Sequence, residues 1–133
     1  MSASDEVRRA NEEFYRAFES LDLQRMGAVW LHSARAQCTH PGWRRVAGYP
    51  AVIESWERIF ESTIEIRFEL TAVEISVAGD LGWVVCTENI ATATLDGRTE
   101  AQVEATNLFE RHDGRWLLVH HHGSPVVRPP SVH

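Results

Sequence analysis

The sequence predicts an α+β fold, in which three N-terminal helices pack on one face of a curved antiparallel sheet and close a cone-shaped barrel. Three observations predict it. Apolar residues recur at helical spacing up to about residue 62 and at alternate positions beyond it. The dipeptides Gly79-Asp80, Asp96-Gly97 and Asp113-Gly114 divide the second half into four runs long enough for strands. In the first of these runs the alternation changes phase near Ala72, from Ile66-Phe68-Leu70 to Val73-Ile75-Val77, which predicts a bulge that bends the sheet.

The elements follow in order. Ser4 or Asp5 can cap a first helix to about Leu21, with Val7, Ala10, Phe14, Ala17, Phe18 and Leu21 on one stripe. Asp22 can cap a short second helix, Leu23 to Leu31, presenting Met26, Val29 and Trp30. Arg35–His40 and Val46–Gly48 read as short extended pieces around Pro41-Gly42. Pro50 suits the first turn of a third helix to about Ser62, with Val52, Ile53, Trp56, Ile59 and Phe60 inward. Glu65–Val77, Leu81–Thr94, Thr99–His112 and Arg115–Gly123 follow as strands. Residues 1–124 form one domain and 125–133 a short tail.

Two-residue turns set strand register, and opposed residues share a face. Asp113-Gly114 then pairs Phe109 with Leu118, Asn107 with His120 and Ala105 with His122. Asp96-Gly97 pairs Glu88 with Ala105, Cys86 with Asn107 and Val84 with Phe109. One face therefore collects Val84, Cys86, Ile90, Val103, Ala105, Phe109 and Leu118, with Glu88, Asn107, His120 and His122 among them. A carboxylate, an amide and two imidazoles on an apolar face read as a pocket floor. His121 falls on the opposite face, beside Trp83, Thr87, Asn89, Leu108, Leu117 and Val119, a mixture that suggests a homodimer interface.

Composition narrows the function classes. A net charge of −6, with all 13 basic residues arginine and no basic block, excludes nucleic acid and anionic membrane as expected partners. Cys38 and Cys86 are too few for a disulfide framework, and reduced thiols in a cytoplasmic protein are the expectation. No signal peptide or membrane span is read from the chain.

The element order, the stretch Glu104 to Trp116 (EATNLFERHDGRW) and the ending Val119 to Pro125 (VHHHGSP) resemble the SnoaL-like branch of the nuclear-transport-factor-2-like (ketosteroid-isomerase-like) superfamily. The ending is also similar to the association domain of calcium/calmodulin-dependent protein kinase II. The resemblance covers nearly the whole chain and implies a cone-shaped α+β barrel paired through its sheet. It implies no single activity, because isomerases, cyclases, epoxide hydrolases, dehydratases and oligomerisation modules share the scaffold. Glu88 and Asn107 stand where the association domain carries pocket arginines, and His120 and His122 match its paired histidines. The base Asp and the Tyr–Asp oxyanion pair of ketosteroid isomerases are not found, which disfavours steroid isomerisation.

The leading expectation is cofactor-free acid–base chemistry on a small organic molecule, of isomerase, cyclase, dehydratase or epoxide hydrolase type. Glu88 and His120 are the candidate proton-transfer groups, with Asn107 to orient and His40 as a second acid or base. Tyr15, Trp43, Trp56, Cys86, Phe109 and His122 are the candidate ligand contacts, and Tyr15, Trp43, Tyr49 and Trp56 shape the mouth. Two alternatives stand beside it. Glu88 and His120 can instead form a satisfied polar network in a non-catalytic binding or oligomerisation module. A metal enzyme would use His40, His120 and His122, since Cys38-x-His40 and His120-x-His122 each place two donors on one strand face.

Overall fold

The computed structural model describes residues 1–127 and contains three helices and one six-stranded sheet. The first helix, α1 (Ala3–Ser20), begins two or three residues earlier than the sequence suggests. Ser2 is its cap: the Ser2 side chain accepts from the Asp5 amide, and Asp5 returns a bond to the Ser2 amide, so two orphan donors are satisfied reciprocally. Leu21 closes the helix in the left-handed region at φ 55°. Asp22 then caps α2 (Leu23–Val29) through the amides of Gln24 and Arg25. This helix stops short of Leu31 because Trp30 turns extended and bridges Leu118, while the Leu31 amide donates to the Leu118 carbonyl at 2.9 Å.

Two short strands follow, β1 (Gln37–Thr39) and β2 (Val46–Ala47), and then α3 (Tyr49–Glu61) with Pro50 in its first turn. The long strands are β3 (Glu65–Ala78), β4 (Leu81–Thr94), β5 (Gly97–His112) and β6 (Arg115–Pro125). Pro125, read as tail from the sequence, thus ends a strand, and the Val126 amide still donates to the Gln102 carbonyl; residues 128–133 lie outside the described residues. The sheet order is β2-β1-β6-β5-β4-β3, antiparallel except for the β1–β6 pair.

The expected bulge is present. The register of β3 on β4 shifts between Thr71 and Glu74, and Ala72 adopts φ 52°. Helices cover one face, where Val7, Phe14, Phe18, Met26, Trp56, Val84, Phe109 and Leu118 form the core. Gly82 allows α1 to lie close to the sheet, since a Cβ there would stand 2.6 Å from a methyl of Val7. Among the described residues no helix is long and apolar enough to cross a membrane.

Two registers depart from expectation, with opposite consequences. The β4–β5 turn is centred on Leu95-Asp96, so Thr94 faces Gly97, Glu88 faces Val103, and Val84 faces Asn107. That is a displacement by two residues, and it keeps every side chain on its face. The β5–β6 hairpin starts as expected, with His112 opposite Arg115 and Phe109 opposite Leu118. A bulge at Val119 then moves the register by one, so Leu108 faces His120, Asn107 faces His121 and Thr106 faces His122. A shift by one exchanges the faces.

Candidate functional site

The bulge in β6 decides which histidine enters the core. His121, expected outside, is 2% exposed and lies beside Asn107, whereas His120 and His122 point to the outer sheet face. His122 is exposed and His120 half-buried. The expected pairing of Glu88 with His120 is therefore corrected, and so is the place of His122 among the pocket contacts. The same correction separates the proposed metal ligands, because His40 is interior while His120 and His122 are not. Among the described residues no three histidine, cysteine or acidic side chains gather as a metal-binding set.

The interior polar groups form a directed chain. Asn107 lies at the bottom of β5, 0% exposed, and uses both amide hydrogens: Nδ2 donates to Asn11 Oδ1 at 2.9 Å and to the Tyr15 hydroxyl at 3.1 Å. Its Oδ1 must therefore accept, and it does so from His121 Nδ1 at 2.5 Å. Tyr15 in turn donates to Glu88 Oε2 at 2.5 Å, with Cys86 Sγ 3.6 Å from the same hydroxyl. Each donor polarises the next, from imidazole to amide to phenol to carboxyl. Asn11 and Tyr15 share a face of α1 at i and i+4, which brings both onto β4 and β5.

Glu88 is the unusual member. It is 3% exposed, forms no ion pair among the described residues, and receives its one hydrogen bond from Tyr15. Burial pushes its carboxyl up to about 7, and the Tyr15 bond offsets only part of that effect. Burial, reinforced by the neighbouring Glu88, holds Tyr15 well above the ordinary phenol value, so the phenol stays protonated. Burial also raises Cys86 to about 11, which removes it as a thiolate near neutral pH.

A second cluster sits beneath α3. His40 Nε2 lies 2.8 Å from Ser55 Oγ, and the Ser55 hydroxyl donates to the Val52 carbonyl. The serine must then accept, so His40 donates from Nε2 and keeps Nδ1 as an acceptor. Cys38 Sγ lies 3.5 Å from His40 Nε2 and 3.7 Å from Nδ1. Burial lowers His40 to about 4 and, with neighbouring histidines as a smaller cause, His121 to about 3, so both rings are neutral. Their centroids stand 6.4 Å apart, with Trp56 packed against both.

The remaining sequence candidates are distributed unevenly. Trp56 and Phe109 are fully buried in the core, while Trp43 is 39% exposed and packs edge-on against His40 at the rim. Tyr49 stacks on His32, with ring centroids 3.9 Å apart, and does not reach the interior chain. Asn11 and Ser55 were not singled out in the sequence, although a polar residue within each helix's buried stripe was the available signal. The open depressions lie elsewhere. A groove of about 800 Å³ runs over the outer ends of β3, β4 and β5, and one of about 270 Å³ lies between α1, α2 and β6. Glu88, Asn107 and His121 line neither.

A bent sheet with three helices on its concave face and an interior polar chain defines the class: an α+β cone of the nuclear-transport-factor-2-like kind. The family described as SnoaL-like domain matches residues 7–128, and the chain belongs to it. A candidate dehydratase of the NTF2-like family from Streptomyces avermitilis superposes with a TM-score of 0.89 at 36% identity, over 94% of this chain and 96% of that one. A protein from Thiobacillus denitrificans, named as a candidate calcium/calmodulin-dependent protein kinase type II association domain, gives 0.79 at 30% identity over 90% and 94%. The F-box protein SKIP8 of Arabidopsis thaliana is 34% identical over 117 residues, 88% of this chain. The chain spans about half, 48%, of that plant protein's length.

Proposed function

We propose that this SnoaL-like protein binds a small, largely apolar organic molecule within the cone and transfers a proton on it using its own side chains. The observation that carries this reading is Glu88: a carboxyl held near pH 7, bonded only to Tyr15, at the end of a chain that starts at a neutral imidazole. A general base works best when its pKa lies near the working pH, and Glu88 meets that condition. Ionised Glu88 takes a proton from a carbon beside a carbonyl group. Tyr15, still protonated, keeps its bond to the new carboxyl or turns its hydroxyl toward the developing oxyanion. Asn107 holds Tyr15 in place. The similarity to a candidate dehydratase supports the same reading, since removal of such a proton is the first half of eliminating water from a β-hydroxy carbonyl compound.

Deuterium exchange tests it. Incubated in D2O with a panel of small enolisable ketones, the wild type is expected to label the α-carbon at a rate that rises with pH and levels above about 7. Glu88→Gln keeps the shape but not the base, and loss of roughly 10²–10⁴-fold is expected. Equal labelling by both proteins, with both folded, sinks the proposal.

A second reading has its own support. The chain His121–Asn107–Tyr15–Glu88 is buried, as a fold-specifying network would be, and one similar structure is named for an association domain. In that reading the protein is a binding or assembly module, paired as a homodimer through the outer sheet face. The two free cysteines, both buried, fit a reducing compartment such as the cytoplasm in either case.

A further inference from the structure

We propose that the cleft between α1, α2 and the start of β6 binds a small organic carboxylate with a single-ring apolar body. The cleft lies apart from the polar chain that ends at Glu88, and the inference does not depend on proton transfer there. Its volume is about 270 Å³, below the usual lower bound of about 300 Å³ for ligand pockets, so it admits one ring and not a peptide. The floor is apolar: Trp116 is buried, and Ala10, Val29 and Leu117 are half-buried. The rim is charged. Arg25 enters from α2 and Arg115 from β6, and Glu13 of α1 is the one acidic side chain among the described lining residues.

The two guanidinium groups are only loosely engaged. Arg25 meets Glu13 at 3.8 Å, beyond hydrogen-bond range, and Arg115 donates one bond of 3.4 Å to the Ala28 carbonyl. A guanidinium carries five N–H donors, so most remain unused on both. Elsewhere arginines pair more closely, Arg58 with Glu54 and Arg111 with Asp80, each at 2.9 Å. Two cations against one carboxylate leave a single positive charge in excess at the rim. Glu6, further along α1, accepts from Trp116 Nε1 at 3.0 Å, and Arg111 stands 5.0 Å from the same indole and offsets it. In a chain of net charge −6, that local excess selects an anion. A carboxylate matches it in charge and offers the two oxygens that a guanidinium fork engages. The floor of Val29, Trp116 and Leu117 then buries the rest of the molecule.

Three probes test the assignment on the intact, 15N-labelled protein: phenylacetate, its neutral amide phenylacetamide, and inorganic phosphate. Phenylacetate is expected to move the Arg115 Nε–H and Trp116 Nε1–H resonances together and saturably, with a Kd of roughly 1 mM that weakens as salt is raised. Arg25→Gln and Arg115→Gln, both at exposed positions where the fold tolerates change, should each weaken binding roughly tenfold. Glu13→Gln removes the competing carboxylate and should strengthen binding severalfold, a gain that a purely structural role for the Arg25–Glu13 pair would not produce. Unchanged or weaker binding by Glu13→Gln overturns the charge argument. Equal binding of phenylacetamide reduces the cleft to apolar packing, and equal binding of phosphate removes the apolar floor from recognition; either overturns the proposal. Shifts confined to the His121 ring would place the probe inside the cone instead of this cleft. No shift at roughly ten times the expected Kd would mean that the cleft holds only solvent.

Discussion

Glu88 couples the stability of the fold to pH in a direction opposite to that of the buried histidines. Its folded value of about 7 exceeds the ordinary 4.5, so the folded protein holds an extra proton between those limits. Stability from this group is present below about 4.5 and falls as pH rises to about 7, by roughly 3 kcal/mol. His40 and His121, at about 4 and about 3, act the other way. Their stabilisation is full above 6.5 and is lost as pH falls, because only the unfolded chain takes up the protons. Glu88→Gln removes the first limb and leaves the second. Denaturant melts from pH 4.5 to 8 should show the variant gaining on the wild type as pH rises and levelling above 7; parallel curves contradict the burial effect. Tyr15→Phe removes the one bond that favours ionised Glu88 and leaves Asn107 short of a partner. That variant is expected to raise the Glu88 midpoint further and to cost about 1–3 kcal/mol, measured by carboxyl NMR and by chemical denaturation.

At the level of elements, the legible parts were those with a phase to read. Ile66-Phe68-Leu70 and Val73-Ile75-Val77 lie on opposite parities, and the bulge at Ala72 follows from that conflict alone. Glu88 and Asn107 were legible because each interrupts an alternating apolar run. The bulge at Val119 left no such mark. Trp116-Leu-Leu-Val119 is apolar at every position and His120-His-His122 is identical at every position, so a slip by one changes nothing in the pattern. A register propagated from Asp113-Gly114 therefore carried the wrong imidazoles inward past Leu118. Deleting Val119 tests the account of this strand. It should leave an unbroken ladder with His120 still opposite Leu108 and His121 still opposite Asn107, so the low-pKa imidazole persists in an NMR titration, and its loss would contradict the bulge. Asn11 and Ser55 escaped for a different reason: each has a short polar side chain of a kind usual on exposed helix faces. Gly82 offers a simpler test of α1 docking, since Gly82→Ala forces a methyl onto Val7 and should cost about 1–3 kcal/mol in a denaturation experiment.

Across the whole molecule, the cone separates an interior polar chain from an outer sheet face. Inside, helices and sheet isolate one titrating carboxyl at the end of a directed hydrogen-bond chain. Outside, Trp83, Leu108 and His120 lie among Thr87, Asn89, Gln102 and Glu104 on a sheet face that no helix covers. We propose that a second copy covers it, and Trp83→Arg should then lower the mass seen by analytical ultracentrifugation from dimer to monomer without unfolding the cone. The fold itself was readable because long helical stripes are followed by four long alternating runs, whereas the site depended on a single inserted residue. The claim on which the functional account turns is that Glu88 exchanges its proton near neutrality. Carbon-13 NMR of the labelled Glu88 carboxyl, followed from pH 3 to 9, measures it directly. A midpoint close to 7 that rises in Tyr15→Phe is the predicted result. A midpoint near 4.5 would mean that water or a cation reaches the carboxylate, and Glu88 would then be an ordinary anion rather than a proton-transfer group.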